Sequence, residues 1–120
     1  MKLPSHATRA QLERLATALE PLPPSCEDAE AFEDSLIAFI LDVSASGFMV
    51  PYDWMQDVAA RRSETEDASA LQGMDLDTFQ RTVISHVRAD RFVEGHLRKL
   101  ARTGYLAAVI ARARQLSAMS

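Results

Sequence analysis

His86-Val87-Arg88-Ala89-Asp90-Arg91-Phe92-Val93-Glu94-Gly95-His96-Leu97 is the stretch around which this chain of 120 residues is organised. It holds two of the three histidines and four charged side chains, and it joins two segments with the apolar spacing of helices. The stretch therefore predicts a polar junction between two helices. Such a junction is either a functional site or a feature of the packing.

Apolar residues recur at intervals of three and four on both sides of this stretch, which is typical of amphipathic helices. The predicted helices cover about 8–20, 25–47, 75–88, 90–103 and 105–117, with a further helix that begins at Asp53. No segment alternates as a strand does, and no internal repeat is present. The sequence predicts an all-α protein, a single-domain bundle of five or six helices.

The domain is predicted to span residues 1–120, with loop or flexible segments at 1–6, at 61–73 and in the last few residues. The second helix has the broadest apolar face, which makes it the strongest predicted core helix. That face consists of Phe32, Leu36, Phe39, Ile40 and Val43. The apolar segment 48–52 is too hydrophobic for an exposed loop and is predicted to pack on the core.

Composition excludes several classes of protein. The chain is 48% hydrophobic and 25% charged, which is ordinary for a globular domain. The longest apolar run, 36–41, ends at Asp42, so no membrane span is predicted. A single cysteine, Cys26, excludes an internal disulfide and cysteine-rich zinc sites. The N-terminus lacks the apolar centre of a signal peptide, so a cytoplasmic protein without cofactors is expected.

Charge is distributed unevenly along the chain. Residues 1–60 carry 10 acidic and 3 basic side chains, whereas residues 61–120 carry 7 acidic and 10 basic ones. A basic C-terminal half is one feature of proteins that bind nucleic acid. The acidic half would repel a polyanion, so nucleic acid is disfavoured. We expect the two halves to neutralise each other within the fold or across a homodimer.

Seven polar or aromatic residues are candidates for a ligand site or a polar network: Asp53, Trp54, His86, Arg88, Arg91, Glu94 and His96. Histidine and carboxylate are ligands of zinc and iron. A metal site here would use His86, His96 and a carboxylate such as Glu94 or Asp53. The spacing does not match a two-histidine metal helix. On a continuous helix Glu94 would also lie about 160° from His96, so no metal is predicted.

An enzyme site and a structural junction are the other two interpretations. An acid–base or anion site would use His96 as the proton carrier and Arg88 or Arg91 to hold the anion. No nucleophile or phosphate-binding loop accompanies these residues. A structural junction is favoured, because histidines on apolar faces are usually hydrogen-bonded core residues.

The structural interpretation makes specific predictions. The helical projection places Phe92, Val93 and Leu97 on the buried arc together with His96. Arg91 and Glu94 would form an ion pair at positions i and i+3, and Gly95 would lie inside the helix at a close approach. Asp53 is expected to cap a helix and Trp54 to lie in the core.

A helix-turn-helix alternative rests on the basic face of the helix predicted for 90–103. Arg91, Arg98, Lys99 and Arg102 cluster on that face, as a recognition helix requires. The usual turn glycine is missing, and Glu94 lies among the arginines. A solvated basic face is therefore favoured.

Two elements resemble a bacterial family of small proteins of unknown function. One is Gly47-Phe48-Met49-Val50-Pro51-Tyr52-Asp53-Trp54, and the other is the stretch 86–97 quoted above, followed by residues 104–116. The resemblance covers roughly 32–116. It implies no established activity, cofactor or partner, but it implies that the candidate residues belong to a shared pattern.

The sequence as a whole predicts a protein of unknown function, most simply a small cytoplasmic interaction or ligand-binding module. Two alternatives remain open. One is a small-molecule or anion-binding enzyme that uses His86, His96 and Arg91, and the other is a nucleic-acid-binding protein that uses the last two basic helices.

Overall fold

The computed structural model describes residues 3, 5–22, 29–56, 68–93 and 95–119. The α-helices in these ranges are α1 (Arg9–Leu19), α2 (Ala29–Ala45), α3 (Leu76–Ala89), α4 (His96–Arg102) and α5 (Tyr105–Met119). Two short 3-10 helices, η1 (Trp54–Gln56) and η2 (Ala68–Gly73), complete the described elements, which include no strand. The predicted all-α fold is confirmed, with one continuous hydrophobic core.

The longest contact between helices joins α1 and α5, which run antiparallel. The hydroxyl of Ser117 donates a hydrogen bond to Glu13, and Arg114 pairs with Glu20, the C-cap residue of α1. The N-terminus of α1 has the predicted capping box, in which Thr8 accepts from the backbone of Gln11 while the Gln11 side chain accepts from Thr8. Local sequence therefore fixes this helix end, as expected.

Helix α2 lies antiparallel to α1 on another side. The guanidinium of Arg14 donates to the Asp42 carboxylate at 2.7 Å, and the Gln11 amide donates to the backbone carbonyl of Ser46 at 2.8 Å. Gly47 follows with φ +86°, the left-handed conformation predicted for a glycine at a helix end. The N-terminal half of α1 is thus beside the C-terminal half of α2.

The central helix is α3, not α2, which corrects the sequence prediction. Every residue from Phe79 to Val87 is buried, whereas Ile37 and Leu41 on α2 are exposed. The buried face of α3 includes five polar or charged side chains: Gln80, Arg81, Thr82, Ser85 and His86. Periodicity identifies only the apolar half of such a helix, because polar residues are expected to face water.

Two irregular segments cover the polar face of α3. The Gln80 side chain accepts from the backbone N–H of Ala7 at 2.8 Å and donates to the carbonyl of Phe48 at 2.9 Å. The Tyr52 hydroxyl donates to the carbonyl of Arg81 and lies 3.0 Å from the Ser85 hydroxyl. The segment 48–52 therefore packs on the core as predicted, with Phe48 fully buried.

Asp77, in the first turn of α3, holds the chain's N-terminal segment. Its carboxylate accepts from the backbone N–H of Leu3, from His6 and from Arg81. Burial opposes ionisation, but these three hydrogen bonds keep the pKa of Asp77 below its usual value. Leu3 is buried, so this part of the segment 1–6 is fixed in the fold.

Two predicted boundaries differ from the structure. The helix predicted from Asp53 begins as η1 in the described residues, and its predicted continuation over 57–67 lies outside them. A loop was predicted at 61–73, but residues 68–73 form η2. Leu71 is buried and anchors this segment, and Arg112 donates to the carbonyl of Met74 directly after it. The predicted loose tail is helical to Met119, because α5 packs along α1. No helix in the described ranges is long and apolar enough to cross a bilayer.

Candidate functional site

His86 and His96 come into direct contact where α3, α4 and α5 meet. The Nδ1 atom of His86 lies 2.9 Å from Nε2 of His96, and the two rings stack with centroids 5.1 Å apart. On its other side, Nε2 of His86 lies 3.2 Å from the hydroxyl of Tyr105, whose ring meets the imidazole edge-on. We call His86, His96 and Tyr105 the histidine junction.

Burial controls the protonation of this junction. His86 is only 3% exposed, whereas His96 is partly exposed. Burial and, secondarily, the charge of His96 lower the pKa of His86 to about 3. His86 is therefore a neutral imidazole at physiological pH, with one nitrogen that donates and one that accepts.

A neutral His86 permits two directions of hydrogen bonding along the junction. Either the Tyr105 hydroxyl donates to His86, which donates to His96, or His96 donates to His86, which donates to the tyrosine oxygen. Both directions satisfy both contacts of His86. When His96 is protonated, only the second direction remains, since both of its nitrogens then donate.

The helix that carries His96 begins later than predicted. The sequence predicts a helix from about Asp90, but α4 begins at His96, after Gly95 with φ +75°. Between α3 and α4 the chain forms a tight turn, in which the Asp90 carboxylate accepts from the backbone N–H of Leu97 at 3.0 Å. The prediction that Gly95 lies inside a helix is wrong, because its left-handed backbone ends the preceding turn.

This turn exposes the apolar residues that were predicted to be buried. Phe92 is 73% exposed and Val93 is 55% exposed, since the turn points them away from the arc on which a continuous helix would place them. The Phe92 ring lies 5.9 Å from the Trp54 ring, and Trp54 is itself partly exposed. The predicted core positions of these residues are therefore wrong. We call Trp54, Phe92 and Val93 the aromatic loop.

The remaining candidates do not join the histidines. Among the described residues, no hydrogen bond connects the side chains of Arg88 or Arg91 to the junction. Asp53 is exposed beside the aromatic loop, and its carbonyl accepts from the backbone N–H of Gln56. Glu94, with its predicted ion pair to Arg91, lies outside the described residues.

The junction has little room for a ligand. A cavity of about 10 Å³ lies beside His86 and Tyr105, enclosed by apolar side chains of α1, α2 and α5. This volume is close to the minimum for one water molecule and far below that of a substrate pocket. Among the described residues, no three histidine, cysteine or acidic side chains are placed to hold a metal ion.

Comparison with known proteins gives one match. Residues 24–119 match the model of a family of unknown function, DUF6508. The chain belongs to this family. No curated protein and no solved structure is significantly similar to it. The predicted resemblance to a family of unknown function is confirmed, while the two sequence elements proposed to characterise that family stay a prediction.

Two residues that shape the site of this DUF6508 member were not among the predicted candidates. Tyr105 follows Gly104 at the start of α5 and is buried, although its hydroxyl needs a polar partner. The only signal in the sequence was a tyrosine at the start of an amphipathic helix that follows the helix of His96. Asp90 was predicted to begin the helix itself, so its role as the acceptor for the N-terminus of α4 was overlooked.

Replacement of Tyr105 by phenylalanine is expected to lower the free energy of unfolding by about 1.5 kcal/mol, because a nitrogen of buried His86 loses its partner. Urea denaturation measures the loss, and nitrogen NMR of the imidazoles reports the change in tautomer. Tyr52→Phe is the matched control, since it removes a hydroxyl outside the junction and should leave the His86 resonances unchanged. Unchanged stability and unchanged resonances in Tyr105→Phe would show that the hydroxyl does not bond to His86.

Proposed function

We propose that this protein is a cytoplasmic bacterial interaction module that works as a homo-oligomer and binds a protein segment at the aromatic loop. The single observation that supports this is the exposure of Phe92 and Val93 on a turn with a fixed backbone. Large exposed apolar groups that pack on one another are characteristic of binding surfaces. Aromatic side chains also supply much of the binding energy at protein interfaces.

Hydrogen bonds fix the shape of the loop before any partner arrives. The backbone N–H groups of Phe92 and Val93 both donate to the carbonyl of Ala89 at 2.9 Å. The hydrogen bond from the backbone N–H of Leu97 to the Asp90 carboxylate closes the turn, next to the histidine junction. A preformed surface loses little conformational entropy on binding. The junction therefore serves as a support for the loop.

The charges beside the loop indicate the chemistry of its partner. Arg91 is exposed and precedes Phe92 directly, and Arg88 lies one helical turn earlier with partial exposure. Arginine pairs well with carboxylates at interfaces. The best-fitting partner is a peptide segment that places an apolar side chain next to an aspartate or glutamate.

The same geometry counts against the two alternatives. An enzyme that uses His86 would need a ligand to reach a residue that is buried beside a cavity of about 10 Å³. A nucleic-acid surface would need free cations on α4 and α5, but Arg112 and Arg114 bind Met74 and Glu20 within the chain. Arg98 lies over the Phe32 ring.

A random peptide library displayed on phage tests the proposal. We expect enriched peptides with an aromatic or aliphatic residue beside a carboxylate, and we expect Phe92→Ser to weaken their binding by roughly tenfold or more. Met119→Ser, which removes a similarly exposed apolar group from the end of α5, is the matched control and should bind normally. Enriched peptides that bind Phe92→Ser as well as the original chain, or a library without enrichment, would refute the proposal.

A further inference from the structure

Helix α2 has a second apolar side that the fold leaves uncovered. The side that packs into the core consists of Phe32, Leu36, Phe39 and Val43. On the opposite side, Ile37 is 54% exposed and Leu41 is 66% exposed. A surface helix needs only one apolar stripe to pack on its own core. The second stripe therefore contributes nothing to the packing of the single chain.

The exposed stripe runs along the axis of α2. Ile37, Leu41 and Ala45 are spaced by four residues, so they lie on one face of the helix, and all three are exposed. The eight residues from the first to the last span about 12 Å along the axis. Side chains at intervals of four form a ridge that packs into the groove between two such rows on another helix. The stripe therefore has the length and the spacing of a contact with about two turns of a partner helix.

The charges beside the stripe indicate which helix fits it. Glu33 and Asp34 lie one turn before Ile37, and both side chains are exposed. Neither forms an ion pair with any described residue, whereas Asp42 pairs with Arg14. Helix α2 itself carries no lysine or arginine. A cation on the partner would therefore meet two carboxylates that no described residue neutralises.

We propose that the exposed side of α2 binds an amphipathic helix of a partner protein, with aliphatic residues at positions i and i+4 and a lysine or arginine one turn away. The aliphatic side chains of that helix cover Ile37 and Leu41, and its cation pairs with Glu33 and Asp34. Burial of the aliphatic side chains supplies most of the affinity. The carboxylates supply specificity, because they repel an acidic helix of the same shape.

This surface goes beyond the proposed function, because it is separate from the aromatic loop and favours the opposite charge. Phe92 belongs to the turn between α3 and α4, where the neighbouring arginines favour an acidic segment. The α2 surface favours a basic one. Pairing between the α2 helices of two copies is disfavoured, since each would bring carboxylates and no cation of its own.

A displayed library of helical peptides, selected against the full chain, tests the proposal. Leucine is fixed at positions i and i+4 of every peptide, and the flanking positions are random. We expect lysine or arginine to be enriched three or four positions from the leucines, and aspartate and glutamate to be depleted. A library without enrichment, or one enriched in acidic helices, would overturn the proposal.

Variants of the chain locate the bound peptide. We expect Leu41→Ser to weaken the binding of an enriched peptide by roughly tenfold or more. We expect the double variant Glu33→Gln, Asp34→Asn to weaken it by roughly threefold at low salt. Asp53→Asn, which removes an exposed carboxylate beside the aromatic loop, is the matched control for charge and should bind normally. Phe92→Ser is the matched control for apolar exposure and should also bind normally.

Two outcomes would assign the binding elsewhere. Peptides that lose affinity in Phe92→Ser but not in Leu41→Ser would bind the aromatic loop, which would overturn the α2 surface and leave the proposed function standing. A loss of self-association in Leu41→Ser, measured by sedimentation equilibrium, would make a second copy the occupant of α2 and would also overturn the proposal. Far-UV circular dichroism checks that the variants are folded, as expected for substitutions at exposed positions.

Discussion

Replacement of Gln80 by leucine is expected to lower the free energy of unfolding by about 4 kcal/mol, because two buried backbone groups lose their partner at once. Gln80 is 0% exposed and connects the N–H of Ala7 with the carbonyl of Phe48. Leucine has a similar size but can neither donate nor accept a hydrogen bond. Each unsatisfied buried group costs roughly 1–3 kcal/mol.

Urea denaturation at neutral pH measures this effect. Gln72→Leu is the matched control, since Gln72 is exposed on η2 and should change stability by no more than about 0.5 kcal/mol. A Gln80→Leu variant as stable as the original chain would mean that water or another group replaces the amide. The Gln80→Glu variant keeps the size of the side chain and changes only its hydrogen bonding. When it is ionised, its carboxylate still accepts from the N–H of Ala7 but no longer donates to the carbonyl of Phe48.

Acidification from pH 7.5 to pH 5 is expected to cost about 2 kcal/mol of stability through His86 alone. Burial lowers its folded pKa to about 3 from the ordinary value of 6.5. Between pH 6.5 and pH 3, His86 therefore stays neutral in the folded protein but binds a proton in the unfolded chain. Its contribution to the free energy of unfolding is complete above pH 6.5 and is lost progressively as the pH falls toward 3.

The groups that face His86 are His96 from α4 and Tyr105 from α5, while α1 and α2 present apolar side chains. The experiment compares the pH dependence of the unfolding free energy with that of His86→Gln, in which the difference between pH 7.5 and pH 5 should shrink by about 2 kcal/mol. Gln72→Leu is the control and should keep the original pH profile, because Gln72 is exposed and does not titrate. Equal pH profiles for the original chain and His86→Gln would contradict a neutral His86. The contribution of Asp77 to stability is lost in a lower pH range. Because its pKa is depressed in the folded protein, this loss begins only as the pH falls below the usual pKa of aspartate.

Local signals predicted several features correctly. The capping box at Thr8 and the left-handed glycine at position 47 depend on neighbours within a few residues, so sequence alone identifies them. The start of α4 was missed because the apolar periodicity continues from Asp90 to Leu100 without interruption. The Asp90 carboxylate and the φ of Gly95 decide against a continuous helix there, and neither changes the pattern of polar and apolar residues.

The candidate site was predicted in part. Two histidines at the ends of a predicted helix junction gave a testable pair, and the structure brings them into contact. Tyr105 was not included, because its distance of 19 residues from His86 is bridged only by the packing of α5 against α4. The arginines between the histidines, by contrast, are near them in sequence without sharing their hydrogen bonds.

Periodicity and helix ends are local properties, so the amino-acid sequence alone predicts a helical protein, the position of most helices and the apolar residues that could form a core. The central position of α3 and the burial of its polar residues depend on how the helices pack. Gln80 and His86 are stable inside the protein because segments far away in sequence supply their partners. Burial of a polar side chain depends on those partners, and no pattern within the helix records them.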